Sequence, residues 1–208
     1  MRAQIDLNAD VGEGARDGDG ALLRVVTSAS VACGFHAGDP HTMRVTCATA
    51  ARDGVRLGAH VSYHDREGFG RRELDMAPDR VAEDAVYQVG ALIACARTEG
   101  AAVSYVKPHG ALYGRVNRDA ALAHALAAAI HAVAPELDVM TPERSALATA
   151  ATAFGLGVIS EGFADRGYAP DGTLLPRAQP GAVLTPRPPR SRPSVSPPTG
   201  RCAAPKAT

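Results

Sequence analysis

The sequence predicts an α/β fold built on a largely parallel sheet. Two observations carry this. Short strand-like apolar runs alternate with helix-like stretches six times along the chain, and such repeated units join parallel strands through right-handed crossovers. The side chains able to do chemistry also collect at or just after the strand-like runs. In parallel α/β folds, ligand sites lie at those carboxyl ends. A chain of 208 residues is long enough for one domain with a sizeable core, or for one domain and a tail.

Each element has its own local reason. Residues 4–8 alternate polar and apolar with period two and read as the first strand. A short helix over 21–28 contains Leu22, Leu23, Val25 and Val26, and 29–33 is the second strand, stopped at Gly34. Asp39-Pro40 opens a helix, with Asp as N-cap and Pro in the first helical position, that runs to Asp53 and ends at Gly54. Residues 55–61 are the third strand. After an Arg- and Gly-rich loop, Pro78 opens a long helix, ended by Gly100, whose Val81, Ala85, Val89, Leu92, Ile93 and Ala96 recur at helical steps. Residues 101–106 are the fourth strand. An Ala-rich helix over 118–134 carries Leu122, Leu126, Ile130 and Val133 on one stripe. A strand over 137–140, a helix over 142–154 closed by Gly155, and a strand over 156–160 follow. The rest, to 182, reads as loop with an Asp171-Gly172 turn. Six units fall short of the eight of a full barrel, so the pattern alone leaves open whether the sheet stays open or closes.

Composition excludes several classes. Basic and acidic residues balance at 22 each, which argues against nucleic-acid binding by bulk charge. No apolar run approaches the ~20 residues of a membrane helix, and the N-terminus lacks the apolar core of a signal peptide. Cys33, Cys47, Cys95 and Cys202 form no CxxC pair, which fits reduced thiols in a cytoplasmic protein. The charge balance hides an asymmetry: residues 178–208 hold no acid, five basic residues and eight of the fifteen prolines. The expected organisation is therefore a domain over 1–184 and a disordered or polyproline-like Pro/Arg-rich tail over 185–208.

The candidate site gathers from the strand ends: Asp6, Asn8, Asp10 and Glu13 with strand one; Cys33, His36 and Asp39 after strand two; His60 and His64 at the end of strand three; Lys107 and His109 after strand four; Glu161, Asp165 and Arg166 after strand six. Asp39 also reads as a helix cap, Cys33 as a small buried thiol, and GEGARDGDG as a flexible loop over the site, since it ends neither as a Walker loop nor in register with a helix. There is no GxSxG elbow. Carboxylates and imidazoles suit general acid–base activation of water, with or without a metal. Asp10, His36, His60 and His109 could converge on a divalent ion, because ligands from different strands need no fixed spacing. Arg71, Arg72, Lys107 and Arg166 supply positive charge for a carboxylate or phosphate.

Five stretches, DLNADVGEG (6–14), VACGFHAGDP (31–40), GAHVSYHDREGFGRR (58–72), VKPHGALY (106–113) and EGFADRGYAPDGTLLPR (161–177), resemble in order the LamB/YcsF family of prokaryotic ATP-dependent 5-oxoprolinase A subunits. The resemblance implies a distorted (β/α) barrel of glycoside hydrolase/deacetylase type. It implies cleavage of 5-oxo-L-proline to L-glutamate with ATP as co-substrate, in complex with two partner subunits. Carried over by position, Asp10, His36, His60, Lys107 and His109 would be catalytic, and Asp6, Asn8, Glu13, Asp39, Glu161, Asp165 and Arg166 would bind substrate, to which the charge reading adds Arg71. His109 or Asp10 would be the base, Lys107 would stabilise an oxyanion or phosphate, and Arg166 or Arg71 would grip the substrate carboxylate. Removing Lys107 is expected to stop turnover without unfolding the chain. Family members continue after the segment matching 181–184 into another helix and a last strand, where this sequence has its Pro/Arg-rich stretch. The expectation is about six βα units with the last strand missing, reduced solubility and weak or absent activity. The rival readings are a metal-dependent amide or sugar deacetylase on the same barrel and an inactive truncated remnant.

Overall fold

The computed structural model describes residues 5–14, 18–170 and 172–185. The tail expected over 185–208 lies outside the described residues from 186 onward, as do Gln4, Asp171 and residues 15–17 of the Gly-rich loop. The chain forms two compact units, Met1–Gly162 and Phe163–Thr208.

The first unit contains β1 (Asn8–Val11), α1 (Gly18–Leu23), β2 (Ser28–Ala32), α2 (Pro40–Asp53), β3 (Arg56–Val61), α3 (Pro78–Thr98), β4 (Val103–Pro108), α4 (Gly110–Val116), α5 (Ala120–Val133), β5 (Asp138–Thr141), α6 (Ala146–Ala153) and β6 (Val158–Ser160). The six strands pair in sequence order, every pair parallel, which is the winding of a (β/α) barrel. Side-chain contacts show that the sheet is curled. Asn8 on β1 reaches the Tyr105 hydroxyl on β4 at 2.7 Å, whereas three strand spacings on a flat sheet are about 14 Å.

The curl separates the two faces by chemistry. Val11, Ala29, Val31, Leu57, Ala59, Val61, Val106 and Val139 belong to the apolar core, together with Met43 and Cys47 of α2, Val81, Val89 and Leu92 of α3, Leu122 and Leu126 of α5 and Leu147 of α6. The alternate positions, Asn8 and Asp10, Ser28 and Ser30, His60, Tyr105 and Lys107, carry polar groups that meet one another across the strands. Period-two alternation thus places an apolar outer face under the helices and a polar inner face toward the site.

Helix ends follow the chemistry read from the sequence. The Asp39 carboxylate accepts the Thr42 backbone N–H at 2.7 Å, Pro40 occupies the first turn of α2, and Gly54 ends it in the left-handed conformation. Four elements differ from expectation, the first being α1, which spans Gly18–Leu23 rather than 21–28 and leaves Val25 and Val26 past its end. Residues 5–7 precede β1, because strand pairing begins where Ser28 supplies the parallel partner of Asn8; Ile5 and Leu7 stay exposed. Strand β4 extends to Pro108, so Lys107 stands on the strand rather than after it. Helix α4 was not legible, since Gly110 at its start disfavours a helix; it forms by burying Leu112, Tyr113 and Val116, and α5 then starts afresh with Asp119 as its cap.

In the second unit, Arg166 bridges to Val183 and Tyr168 to Leu174 in antiparallel fashion. The Arg166 guanidinium is buried and donates to the carbonyls of Ala182 at 2.9 Å and Leu175 at 2.7 Å.

Candidate active site

The carboxyl ends of β1 to β4 and β6 bring together two linked groups of side chains. The first centres on Lys107, which is buried on the inner face of β4. Its ammonium donates to Asn8 Oδ1 at 3.1 Å and Asp10 Oδ1 at 3.1 Å, and lies 2.6 Å from Glu161 Oε1. Burial alone would push this ammonium's pKa down; Asp10 and Glu161 outweigh it and hold the pKa above its ordinary value. Burial likewise pushes the Asp10 carboxyl up, but the adjoining His60 ring and Lys107 hold it well below the usual carboxylate range. The second Glu161 oxygen, Oε2, is buried and without a hydrogen-bond partner.

The second group is a cage of three imidazoles and Glu13. His60 Nδ1 lies 3.0 Å from the Lys107 carbonyl, and His109 Nε2 lies 2.9 Å from the Phe69 carbonyl. A carbonyl only accepts, so both of these nitrogens carry protons. The remaining ring nitrogens, His60 Nε2 and His109 Nδ1, face each other at 2.9 Å. Glu13 Oε1 stands 3.3 Å from His109 Nδ1, 3.7 Å from His60 Nε2 and 2.9 Å from His36 Nε2. Two imidazole lone pairs and a carboxylate cannot share this space without one positive charge among them, either a proton between the rings or a cation. Ligand atoms of Glu13, His36, His60 and His109 all lie within 4.8 Å of one another, and a tetrahedral ion with ~2.1 Å bonds spaces its ligands about 3.4 Å apart. Imidazoles tied through their far N–H to backbone carbonyls are the usual second shell of a metal site. The cage therefore fits a divalent cation. Burial lowers the His36 pKa, and burial with the neighbouring rings pushes that of His109 down to about 2, so both favour the neutral, ligating form.

The loop after β3 holds the cage in place. Asp65 is buried, accepts the Gly68 N–H at 3.0 Å and pairs with the Arg72 guanidinium. This pins a turn in which Phe69 takes a left-handed φ of 54°, a strained conformation for an aromatic residue that aims its carbonyl at His109. Gly70 follows at φ 63°, and a side chain there would come within 2.9 Å of both His109 and His36 and overlap Ser62. A cavity of about 470 Å³ opens beside the cage, lined among others by Gly12, Glu13, His36, Gly38, Arg66 and Phe69.

Asp10, Glu13, His36, His60, Lys107, His109 and Glu161 therefore converge. Asp6 does not join them; it accepts from Thr27 and Ser28 at the opposite, amino end of the sheet. All four hydrogen-bonding positions of the Asn8 amide are taken, by Ser28 at 2.8 Å, Tyr105 at 2.7 Å, Ser30 at 3.1 Å and Lys107 at 3.1 Å. Asp39 serves as the α2 cap at the cavity wall. Arg71 is exposed, its guanidinium 5.1 Å from the Phe69 ring centre. Asp165 and Arg166 lie in the second unit, where Arg166 ties two carbonyls together and the Asp165 carbonyl accepts the Leu184 N–H. Cys33 is a buried thiol that donates to Val31 and is raised to about 12 by burial, which rules it out as a thiolate nucleophile at neutral pH. Ser28, Ser30, Asp65, Phe69 and Tyr105 were missed. The period-two runs Ser-Ala-Ser and Tyr-Val-Lys, polar at every second position of a strand, held the signal for Ser28, Ser30 and Tyr105.

Comparison with known proteins agrees in extent with this architecture. The LamB/YcsF family profile matches residues 5–191. The 5-oxoprolinase A subunit of Streptomyces coelicolor is 51% identical over 185 residues, covering 87% of this chain and 74% of that protein. That of Symbiobacterium thermophilum is 52% identical over 185 residues, covering 87% and 71%. The crystal structure of the lactam utilization protein from Thermus thermophilus superposes with a TM-score of 0.84 at 40% identity, covering 88% of this chain and 76% of that one. With a family match that spans all of the described residues and relatives more than 50% identical over most of the chain, the chain belongs to the LamB/YcsF family.

Proposed function

We propose that this chain is the A subunit of a 5-oxoprolinase, which opens the lactam of 5-oxo-L-proline to L-glutamate with ATP as co-substrate, in the cytoplasm and in complex with two partner subunits. The observation that carries the reading is the convergence of Asp10, Glu13, His60, Lys107 and His109 on one rim of the curled sheet. The names of the relatives, a 5-oxoprolinase component and a lactam utilization protein, supply the substrate class. The described cysteines are unpaired, and no helix among the described residues is long and apolar enough to cross a membrane.

A five-membered lactam is a stable amide, and phosphorylation of its carbonyl oxygen by ATP makes the carbon electrophilic. Water then adds to that carbon, the C–N bond breaks as the ring nitrogen takes a proton, and a second water releases the phosphoryl group as inorganic phosphate, leaving the free γ-carboxylate of glutamate. In this reading Asp10, ionised and partly exposed at the rim, accepts the proton from water as the new C–O bond forms. Lys107 is the inner-face cation that balances negative charge developing on oxygen. Arg71, exposed with its guanidinium over the Phe69 ring, would meet the substrate carboxylate. Glu13, His60 and His109, with His36 completing the set, would hold a divalent cation, which when bound would polarise a carbonyl or acidify water.

The test is reconstitution with both partner subunits, following ADP and glutamate release on addition of 5-oxoproline, before and after chelation. ADP release that depends on 5-oxoproline is expected. The imidazole cage specifically favours a second reading, a metal-dependent deacetylase. Chelator-sensitive release of acetate from an acetylated amide or sugar without ATP, and no response to 5-oxoproline, would establish that reading instead.

A further inference from the structure

The inner face contains a buried polar chain that the reaction outlined above does not use. Tyr105, fully buried on β4, points its hydroxyl across the concave side of the sheet. That hydroxyl accepts Asn8 Nδ2–H at 2.7 Å and meets the Ser30 hydroxyl at 3.2 Å. Asn8 Nδ2 donates its second hydrogen to Ser28 at 2.8 Å, which leaves the amide oxygen to face Ser30 and the Lys107 ammonium. The two ends of an amide are nearly the same size, so only these partners dictate which end meets the lysine. With the amide reversed, an N–H would face the ammonium and repel it.

The space for this arrangement is built into the neighbouring strand. Gly58 on β3 is the register partner of Tyr105, and any side chain there would overlap the Tyr105 ring. The choice of cation is equally selective. The sequence has twenty Arg and only two Lys, Lys107 and Lys206. An ammonium offers three donors in a tetrahedral fan, and here three acceptors, Asn8, Asp10 and Glu161, converge on it from separate elements.

We propose that Tyr105 is a positioning residue for lactam opening: acting through Asn8, it fixes the orientation of the amide and thereby the place of the Lys107 ammonium, and Gly58 provides the room for it to do so. The proposal rests on the reading of this rim as the lactam-hydrolysing site.

The test uses Tyr105→Phe, which removes one oxygen and leaves the volume of the core unchanged. The chain is labelled with ¹³C/¹⁵N-lysine, so that two side-chain ammonium signals are in play, and Lys206→Arg assigns the one from Lys107. In the wild-type chain the ammonium of Lys107, held by three acceptors, gives a resolved ¹⁵N–¹H correlation. In Tyr105→Phe this signal is expected to shift or broaden. In the reconstituted complex kcat should fall about ten-fold, with KM for 5-oxoproline within about two-fold, the size of one lost orienting hydrogen bond. Ser28→Ala, which removes the other Nδ2 acceptor of Asn8, should act in the same direction, and Gly58→Ala more strongly. An unmoved lysine signal in Tyr105→Phe overturns the proposal, and so does a moved signal with unchanged kcat. If the wild-type complex fails to turn over 5-oxoproline, the functional reading fails, and the lysine signal alone then decides whether Tyr105 positions Lys107.

Discussion

Replacing Lys107 by Met removes one charge from a site that holds two carboxylates and an amide oxygen around it. The sequence alone suggested that such a change would stop turnover and spare the fold. The structure adds a cost to the fold. The Lys107 and Glu161 side chains are 6% and 8% exposed, whereas that of Asp10 is 35% exposed. Asp10 can therefore regain water when the ammonium is lost, but Glu161 cannot. Stranding a buried charge typically costs about 3–5 kcal/mol, and with one of the two carboxylates rehydrated the expected loss is about 3 kcal/mol. That corresponds to roughly 6–12 °C in melting temperature for a domain of this size. Urea unfolding followed by circular dichroism at neutral pH measures it. The double variant Lys107→Met, Glu161→Gln should regain about 2 kcal/mol, since it leaves no uncompensated buried charge. A single variant within about 1 kcal/mol of wild type, or a double variant no better than the single, would refute the reasoning.

Three further outcomes are expected. Asp39→Ala should lose about 1 kcal/mol by uncapping α2, while Asp39→Ser keeps both cap and turnover; a normal melt with lost turnover in Asp39→Ser would give that carboxylate a substrate role. In the metal-free chain, acid should destabilise through His109, whose pKa falls from 6.5 to about 2 on folding. Below 6.5 the unfolded chain binds a proton that the native chain does not, so stability rises with pH across that window at about 1.4 kcal/mol per unit. His36 adds in the same direction, and a flat urea midpoint between about pH 6.5 and 5 would contradict this. Cys33 and Cys47, each raised to about 12 by burial, should resist a thiol reagent at neutral pH until the chain unfolds, as peptide mapping after brief labelling would show.

The parts of this architecture legible in the sequence are those fixed by short-range chemistry. Asp39-Pro40 and Gly54 mark the ends of α2 because capping and left-handed turns depend on a few adjacent residues. The rim location of His36, His60 and His109 follows from their place at strand ends. What could not be read was set by contacts distant in sequence. Asn8 and Tyr105 are ninety-seven positions apart and meet only because the sheet curls. Glu13 joins the imidazoles beside Asp10, and the difference is one of reach from β1: Asp10 meets Lys107 with one oxygen and His60 with the other, and Glu13 lies past the strand end among all three rings. The partners of Arg166 were not legible either, because a lone Arg in a motif carries no sign of them; in its own unit it ties two backbone carbonyls.

The same geometry links the two halves of the site through charge. On the inner face, Lys107 is set against Asp10 and Glu161, one positive against two negative side chains. Glu13 adds a third carboxylate, and the imidazoles that surround it are held toward neutrality by burial at His36 and His109. The imbalance is concentrated where the His60 and His109 lone pairs meet. A positive charge placed there neutralises the excess, satisfies both rings and couples to Asp10, which stands 3.3 Å from His60 Nε2. The cation-fitting cage and the lysine clamp are thus one electrostatic unit, in which the lysine fixes the inner end and leaves the rim short of the positive charge that chemistry on a carbonyl oxygen calls for.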